Sequence, residues 1–288
     1  MSTPPTGSMH RGLTADGAVR FLAVEAKQLV LHTATAHGLS GDAARTAGEA
    51  TIAALLMSAW IKGEERITLQ IQAERPRFAY MGEADAEGNI RARMTPPRFR
   101  ARSDQRIDGL LMAIKADARR ELYRGMTPLE GQTIERALVE HLSSSDQVDT
   151  LLRIQVKVDE NGDIRSAGGL LVERLPDHPD QPSLSPEAFQ AAFGALPEQD
   201  ISELHTALAF GQIQGQSIEL LENRALTWQC RCSDAKVRSM LRSIGRTELE
   251  SIRDELGQAE VTCHFCNERR IVDTAGLNQI IEHLSQSG

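Results

Sequence analysis

Four cysteines, all in the last quarter of the 288-residue chain, constrain its fold more than any other feature. Cys230 and Cys232 form a C-x-C pair, and Cys263 and Cys266 form a C-x-x-C pair. Four thiolates in two close pairs suit tetrahedral Zn²⁺, with Zn–S bonds of about 2.3 Å. Unrelated buried cysteines rarely fall into two tight pairs near one terminus. The spacing therefore predicts one Zn²⁺ held by all four sulfurs.

The cysteines alone leave two roles open for this metal, a purely structural one and a redox switch. Zn²⁺ holds the sulfurs as thiolates, which is the form that an oxidant attacks. Each pair is close enough in sequence to become its own disulfide once the metal leaves. For Cys230 and Cys232 the Cα spacing of about 6–7 Å in extended chain is at the edge of bridging geometry. Such a strained bond is more easily reduced, so the chemistry favours a reversible switch.

The residues around the cysteines suggest how the centre is completed. His264 lies inside the second pair and is an alternative ligand, but four thiolates already fill a tetrahedral site, so we expect it to face solvent. Three arginines flank the cysteines. They are expected to offset the −2 charge of a Zn(Cys)₄ centre, although a solvated surface is an equally good interpretation; they are Arg231, Arg269 and Arg270.

The remainder of the C-terminal region is predicted to form a compact module with a small core. Ser233 is expected to cap a first helix, and Thr247 with Glu250 forms a capping box for a second helix. A hairpin is expected at 261–272 around the C-x-x-C turn. A core of this size usually needs a metal ion or a disulfide to stabilise it, so the module is expected to fold only with its metal. The expected core residues are Val237, Met240, Leu241, Ile244, Leu249, Ile252, Leu256, Leu277, Ile280, Ile281 and Leu284.

Before the cysteines, the hydrophobic pattern predicts helices followed by strands. Residues 17–61 have the spacing of two helices, the first carrying Val19 and Leu22 and the second capped by Ser40. A third helix is expected at 133–142. Helices combined with mostly consecutive strands indicate an α+β domain. The alternating strands are expected at 67–72, from 78, at 90–94, at 110–114, at 152–158 and from 164, with a hairpin turn at Asn161-Gly162.

After Pro176 a proline-rich stretch breaks regular structure, and short amphipathic segments follow. One starts at Ser185 and carries Phe189 and Phe193; the next runs from Ile201 towards Phe210. Such short helices are marginal alone and depend on neighbours. They fit an ordinary interdomain connector or a segment that unfolds when the zinc module does.

Composition narrows the functional class. The net charge of −8 and the 4% aromatic content argue against a dedicated nucleic-acid binder. Neither a secretory signal nor a membrane-length apolar stretch is found, so we expect a cytoplasmic chain. The P-loop, G-x-G-x-x-G, G-x-S-x-G and H-E-x-x-H motifs are absent from the sequence, and we predict a binding protein and not an enzyme.

The cysteine pattern, together with three other blocks, resembles the redox-regulated holdase chaperones of the thirty-three-kilodalton heat-shock protein family. KGEERITLQIQ (62–72) looks like that family's signature strand. YRGMTPLEGQ (123–132) and AGGLLVERLP (167–176) are similar to two further family stretches. The resemblance covers nearly the whole chain.

The resemblance implies three parts: an α/β core domain (1–178), a metastable helical linker (179–226) and a zinc-binding redox-switch domain (227–288). In the family, the reduced zinc form is a largely inactive monomer. Oxidation forms Cys230–Cys232 and Cys263–Cys266 disulfides and expels zinc. The switch domain and linker then unfold, the protein tends to dimerise, and unfolding client proteins are held without ATP.

The sequence departs from the family pattern at a few positions of the N-terminal domain. Asp146 replaces a favoured Glu, Asp149 replaces a favoured Pro, and residues 92–93 lack an expected Gly-aromatic pair. These departures concern the client surface and oligomer contacts, whereas all four cysteines are present.

Two other classes remain as alternatives. The first is a zinc ribbon with a fixed structural metal that contacts RNA or ribosomes through Lys236, Arg238 and Arg242, although a solvated helix surface explains these residues better. The second is a thiol oxidoreductase using the C-x-x-C, which here lacks the expected β-α-β context.

Overall fold

In a computed structural model, residues 4–146, 149–176 and 184–286 are described. The chain forms two compact units, Met1–Gln229 and Cys230–Gly288. The expected boundary at 178, with Pro179 and Pro182, lies outside the described residues. In the described part of the chain, no helix is long and apolar enough to cross a membrane.

The larger unit is built on a mostly antiparallel sheet, and the chain is therefore α+β, as the sequence predicts. Over the described ranges this sheet has eleven strands, in the spatial order β7-β6-β3-β4-β5-β11-β1-β2-β9-β8, with β10 paired to β11. The strands are β1 (Thr6–Thr14), β2 (Val19–Glu25), β3 (Arg66–Arg75), β4 (Arg77–Asp85), β5 (Asn89–Thr95), β6 (Ile107–Ala116), β7 (Glu121–Gln132), β8 (Thr150–Val158), β9 (Ile164–Arg174), β10 (Gln212–Ile213) and β11 (Gln216–Trp228).

Three helices pack on the larger unit's sheet: α1 (Lys27–His37), α2 (Asp42–Met57) and α3 (Ile134–Asp146). Helix α2 is buried along almost its whole length, and its many Ala residues and Gly48 let it lie close to its neighbours. A Cβ atom on Gly48 would come within 2.8 Å of Val30 and 3.0 Å of Val156. The phenol of Tyr80 lies 3.1 Å from Thr51 Oγ1, which gives its buried hydroxyl a partner.

A second apolar layer is formed by α4 (Pro186–Phe193) and α5 (Ile201–Ala209) packed on β1, β2 and β9. Ser185 Oγ accepts the Ala188 N–H, which confirms the predicted start of the first linker helix. Phe210, in contrast, is 82% exposed and does not join this core. The cluster, called here the linker core, comprises Val19, Phe21, Ala23, Leu170, Val172, Phe189, Phe193, Leu196, Ile201, Leu204, Leu208, Ile213 and Ile218.

The predicted helix from Val19 is wrong, because residues 19–25 form strand β2 and a helix begins only at Lys27. Strand β2 is covered on both faces: Phe21 joins the linker core and Leu22, facing the other way, is also buried. A strand buried on both faces has no alternation of polar and apolar residues and matches helical spacing by chance. Ser40 does not cap α2, whose N-cap is Gly41.

Three strands lack a clear sequence signal. Strand β1 is rich in polar residues and glycine, and its Gly12 is required because a Cβ would lie 2.9 Å from the Glu219 carbonyl oxygen. Strand β7 is an exposed edge strand. Strand β11 occupies residues 216–228, so the segment expected to be a helical linker ends in a long strand of the central sheet.

The smaller unit contains α6 (Asp234–Ser243), α7 (Arg246–Leu256), β12 (Gln258–Thr262), β13 (Arg269–Asp273) and α8 (Thr274–Gln286). The predicted Ser233 cap and the hairpin are confirmed. The predicted capping box at Thr247 is wrong, because α7 begins after Gly245 and has no side-chain cap. Its core is also smaller than expected, since Met240, Ile244 and Leu256 are exposed. The buried residues are Val237, Leu241, Leu249, Ala259, Val272, Leu277, Ile280 and Ile281.

We predict that Phe193→Ala lowers the free energy of unfolding of the larger unit by about 3–5 kcal/mol. Phe193 is 1% exposed, and its ring meets Phe21 edge-on at 5.4 Å. Phe210→Ala is the matched control and should change stability by less than about 0.5 kcal/mol. Urea unfolding followed by the fluorescence of Trp60 and Trp228, both in this unit, measures the difference. Equal effects of the two substitutions would show that α4 is not anchored as described.

Candidate metal centre

The first cysteine pair lies on a short irregular segment between the end of β11 and the start of α6. Ser233 follows Cys232 directly, and its Oγ accepts the Lys236 N–H at 3.2 Å. This cap fixes the point at which the chain turns into the helix. Cys230 and Cys232 lie just before this cap, in a segment without regular secondary structure.

The second pair lies on the turn of the β12–β13 hairpin. The Cys263 N–H donates to the Glu268 carbonyl at 3.0 Å, and the Asn267 N–H donates to the Cys263 carbonyl at 2.9 Å. Asn267 adopts a left-handed conformation, with φ of 58°, which Asn tolerates better than most residues. The turn therefore holds Cys263 and Cys266 on one side of a closed loop.

The four sulfurs converge, as the spacing predicts. Cys230 Sγ is 3.5 Å from Cys263 Sγ, and Cys232 Sγ is 3.4 Å from Cys266 Sγ. All four sulfur atoms lie within 4.8 Å of one another, and all four cysteines are free thiols. Tetrahedral Zn–S bonds of about 2.3 Å would place sulfurs about 3.8 Å apart, whereas a disulfide requires about 2.05 Å. The cluster has the dimensions of a metal site.

The protonation of the cluster is uneven. Burial raises the pKa of Cys230 and of Cys266. Burial acts in the same direction on Cys263, but hydrogen bonds from the backbone N–H groups of Cys266 and Phe265, together with those of the Cys230 and Cys266 thiols, outweigh it and lower its pKa to about 7. Backbone N–H donors aimed at a sulfur stabilise the thiolate that a metal ion requires.

A scan against protein-family models matches residues 7–273 to a family described as Hsp33 protein. The chain belongs to the Hsp33 family. The family model spans both the sheet of the larger unit and the four cysteines, as the resemblance seen in the sequence implies.

Several curated Hsp33 relatives are similar over nearly their full length. The 33 kDa chaperonin of Bacillus cereus strain B4264 is 26% identical over 287 residues, which cover 95% of this chain and 98% of the relative. That of Geobacillus kaustophilus strain HTA426 is 27% identical over 289 residues, covering 94% and 96%. The crystal structure of the 33 kDa chaperonin of Thermotoga maritima superimposes with a TM-score of 0.82 at 24% identity, covering 97% of this chain and 99% of that one, which shows a shared fold.

The four residues expected to depart from the family pattern, at 92, 93, 146 and 149, all lie in the larger unit. The Asp149 carboxylate accepts a hydrogen bond from Arg174 Nε at 2.6 Å and so joins the start of β8 to the end of β9. Ala92 is fully buried in β5, beside Arg93. Asp146 is the last residue of α3.

Arg270, one of the flanking arginines, contacts a sulfur. Its Nη2 lies 3.8 Å from Cys232 Sγ, and its two Nη atoms bind Asp234 at 2.5 Å and Glu268 at 2.8 Å. These hydrogen bonds raise the pKa of Arg270. Arg269 instead pairs with Glu260 at 3.0 Å. One of the expected counter-charges is thus built into the centre of this Hsp33-family chain.

The other flanking residues are placed as follows. His264 is exposed and stands apart from the four-sulfur cluster, as expected. Arg231 is half-buried between the two cysteines of its pair. The acidic partners Asp234 and Glu268 were not expected, because charged residues near a turn resemble any solvated surface. The available signal was an arginine two positions after Glu268, which lies just before β13.

We predict that Arg270→Gln speeds zinc transfer to a colorimetric chelator about ten-fold or more, because partners around metal ligands typically contribute 10–100-fold in affinity. Arg269→Gln removes the same charge from the neighbouring position and should change the rate less than about two-fold. Both variants are measured reduced, at one ionic strength. Equal acceleration by the two would indicate that overall charge matters and the Arg270–Cys232 contact does not.

Proposed function

We propose that this chain is a redox-regulated, ATP-independent holdase that is inactive with its cysteines reduced and zinc-bound. The observation that carries the proposal is the convergence of four free thiols within 4.8 Å in a unit with a small core. Membership of the Hsp33 family, with relatives named chaperonins, supports it. Among metals, Zn²⁺ suits a tetrahedral set of four thiolates. Cys230, Cys232, Cys263 and Cys266 are its proposed ligands.

Oxidation supplies the switch. Two thiolates give up two electrons to form one disulfide; with hydrogen peroxide as oxidant, the O–O bond breaks and two hydroxide ions result. Two such steps would form Cys230–Cys232 and Cys263–Cys266. Disulfide sulfurs carry no negative charge, so the cation loses its ligands and leaves.

Loss of the metal would unfold the smaller unit. Structural zinc contributes on the order of 10–16 kcal/mol in peptide-sized sites, which matches the whole stability of a typical domain at about 5–15 kcal/mol. The buried core that remains consists of small and aliphatic side chains and contains no aromatic residue among those described. We infer that this core cannot hold the fold without the ion.

The linker would carry the effect to an apolar surface. Trp228 at the end of β11 is two residues from Cys230, so unfolding that starts at the cysteines reaches the sheet directly along the chain. Upstream, α4 and α5 cover Phe21 and the rest of the linker core. Release of these helices would expose a contiguous apolar face, which is the kind of surface that captures unfolded chains.

The proposed partners follow from this mechanism. Clients are unfolded or partly unfolded proteins, the reduced form is a monomer and the activated form a homodimer. The proposed location is the cytoplasm, where thiols are kept reduced until stress. The chain is proposed to act by binding, without enzymatic turnover or nucleic-acid contact.

We predict that peroxide-treated protein suppresses the aggregation of a heat-unfolding client, followed by light scattering, and that reduced zinc-loaded protein does not. Zinc and four free thiols should be lost together. A variant with all four cysteines replaced by serine should bind no zinc and respond to oxidant with no change in activity. If that variant stayed compact and responded like the parent, the proposal would be wrong.

The disulfide pairing provides a separate test, because each sulfur of the C-x-C pair lies close to a sulfur of the C-x-x-C pair, at 3.5 Å for Cys230–Cys263 and 3.4 Å for Cys232–Cys266. Disulfides between the C-x-C and C-x-x-C pairs would hold the unit in its folded form. A disulfide within each pair would leave the unit free to unfold. We predict the second outcome. In tryptic digests of oxidised protein, peptide 225–231 should be linked to 232–236, and 254–269 should carry an internal disulfide. A linkage of 225–231 to 254–269 would contradict it.

The alternative, a zinc-ribbon protein with a purely structural metal, is favoured by one observation. Lys236 and Arg242 are exposed on α6, the helix that follows Cys232. Zinc that is retained through mild oxidation, with salt-dependent RNA binding that ignores redox state, would support this alternative.

A further inference from the structure

Two histidines meet where linker helix α5 rests on the sheet. The rings of His10, on β1, and His205, on α5, have centroids 4.6 Å apart and are tilted by 49°. His205 Nε2 lies 3.1 Å from Ser8 Oγ, also on β1. The contact therefore joins two elements that are 195 residues apart in sequence and are otherwise held together by apolar packing.

His10 is enclosed. The residue is 7% exposed, and its Nδ1 atom is buried without a hydrogen-bond partner. A protonated ring would place an N–H donor and a positive charge at this position without an acceptor. Burial accordingly lowers the pKa of His10. The neighbouring residues on β2 and β11, Ala23 and Asn223, carry no charge to compensate.

His205 lies on the sheet-facing side of α5. With Ile201 and Leu204 it follows the i, i+3, i+4 spacing of a buried helix face, and both of these residues belong to the linker core. Burial lowers the pKa of His205 to about 4, and the nearby His10 lowers it further in the same direction. The docked helix thus requires a neutral imidazole.

The charged groups on the surrounding elements have other partners. Glu25 on β2, which stands opposite Ser8, accepts the Lys27 N–H. Asp200 at the start of α5 is paired with Lys157 of β8. Arg11 on β1 is paired with Glu222 of β11. On α5 itself, Glu203 is exposed, and the residues that β9 presents to the linker core are Leu170 and Val172.

We propose that the His10–His205 contact is an acid-sensitive latch, which releases α5 from the sheet at mildly acidic pH while the thiols remain reduced and the zinc remains bound. This inference rests on the proposed function, since it gives the same apolar surface a second trigger. A free imidazole titrates near 6.5, so between pH 6.5 and about 4 the released state binds protons that the docked state does not. Docking therefore weakens as the pH falls through this range.

Acidification would shift the opening equilibrium of α5 towards the released state. For a single imidazole with these two pKa values, the opening equilibrium of α5 would rise by roughly 30-fold between pH 7.5 and 5.0. Solvent reaches part of the His205 ring, and screening reduces the expected rise to about ten-fold.

The test uses reduced, zinc-loaded full-length protein, kept in a phosphine reductant, at pH 7.5 and 5.0. Hydrogen exchange followed by mass spectrometry reports the protection of residues 201–209, after correction for the pH dependence of intrinsic exchange. Zinc content is measured in the same samples. His205→Leu removes the titrating ring on an apolar face, and His205→Gln retains a hydrogen-bonding partner for Ser8. His283→Gln, at an exposed position of α8 in the smaller unit, is the control.

We expect the parent and the His283→Gln variant to lose about ten-fold protection of α5 at pH 5.0 with zinc retained, and both His205 variants to keep it. Unchanged protection in the parent, or loss only in step with zinc, would overturn the latch. If His205→Leu does not fold, His205→Gln and the parent decide the question. Oxidised protein assayed at pH 7.5 for client holding tests the proposed function separately: activity there, without an acid response, rejects the latch alone.

Discussion

The smaller unit is organised around four cysteine sulfurs that lie within 4.8 Å of one another, an arrangement that one shared cation would stabilise. All four cysteines lie on irregular segments or turns, so helix and strand hydrogen bonds do not fix them in place. Three local features position them instead. A capped helix follows Cys232, and a closed turn surrounds Cys263. Arg270 forms hydrogen bonds to Asp234 and Glu268 beside the sulfurs. These features position the sulfurs, and in the proposed function a metal ion would supply the attraction that the small core lacks.

The larger unit combines a deeply buried helical layer with a second layer of short helices. Its α1–α2 layer is deeply buried and extensive, whereas α4 and α5 are short helices that depend on the sheet beneath them. The linker core includes four aromatic or branched side chains from β2 and β9 that would be solvent-exposed without those helices; they are Phe21, Val19, Leu170 and Val172. A stable scaffold with a weakly attached cover allows the cover to be lost without the rest of the unit unfolding.

The sequence predicted the four-cysteine cluster better than the fold around it, for physical reasons. Cysteine spacing reports possible ligand chemistry directly, so the convergence of the four sulfurs and the exposed position of His264 were both predicted. Strand β2 was missed because burial on both faces removes the alternation that marks a strand. Strand β7 was missed because an exposed edge has little apolar pattern. The partners of Arg270 depend on tertiary geometry. The positions of charged residues along the sequence do not show which of them meet in the folded chain.

The position of β11 has a consequence for what unfolding would leave behind. This strand is the only neighbour that joins β5 to β1 in the described sheet, and its link to β5 is confined to the parallel pairs at Thr227 and Trp228. Withdrawal of β11 would divide the sheet into a β7-β6-β3-β4-β5 half and a β1-β2-β9-β8 half. Each half would then present an exposed strand edge with unpaired backbone N–H and C=O groups. Such edges bind extended polypeptide through backbone hydrogen bonds, whatever its side chains are. They would complement an apolar surface, which binds polypeptides with apolar side chains.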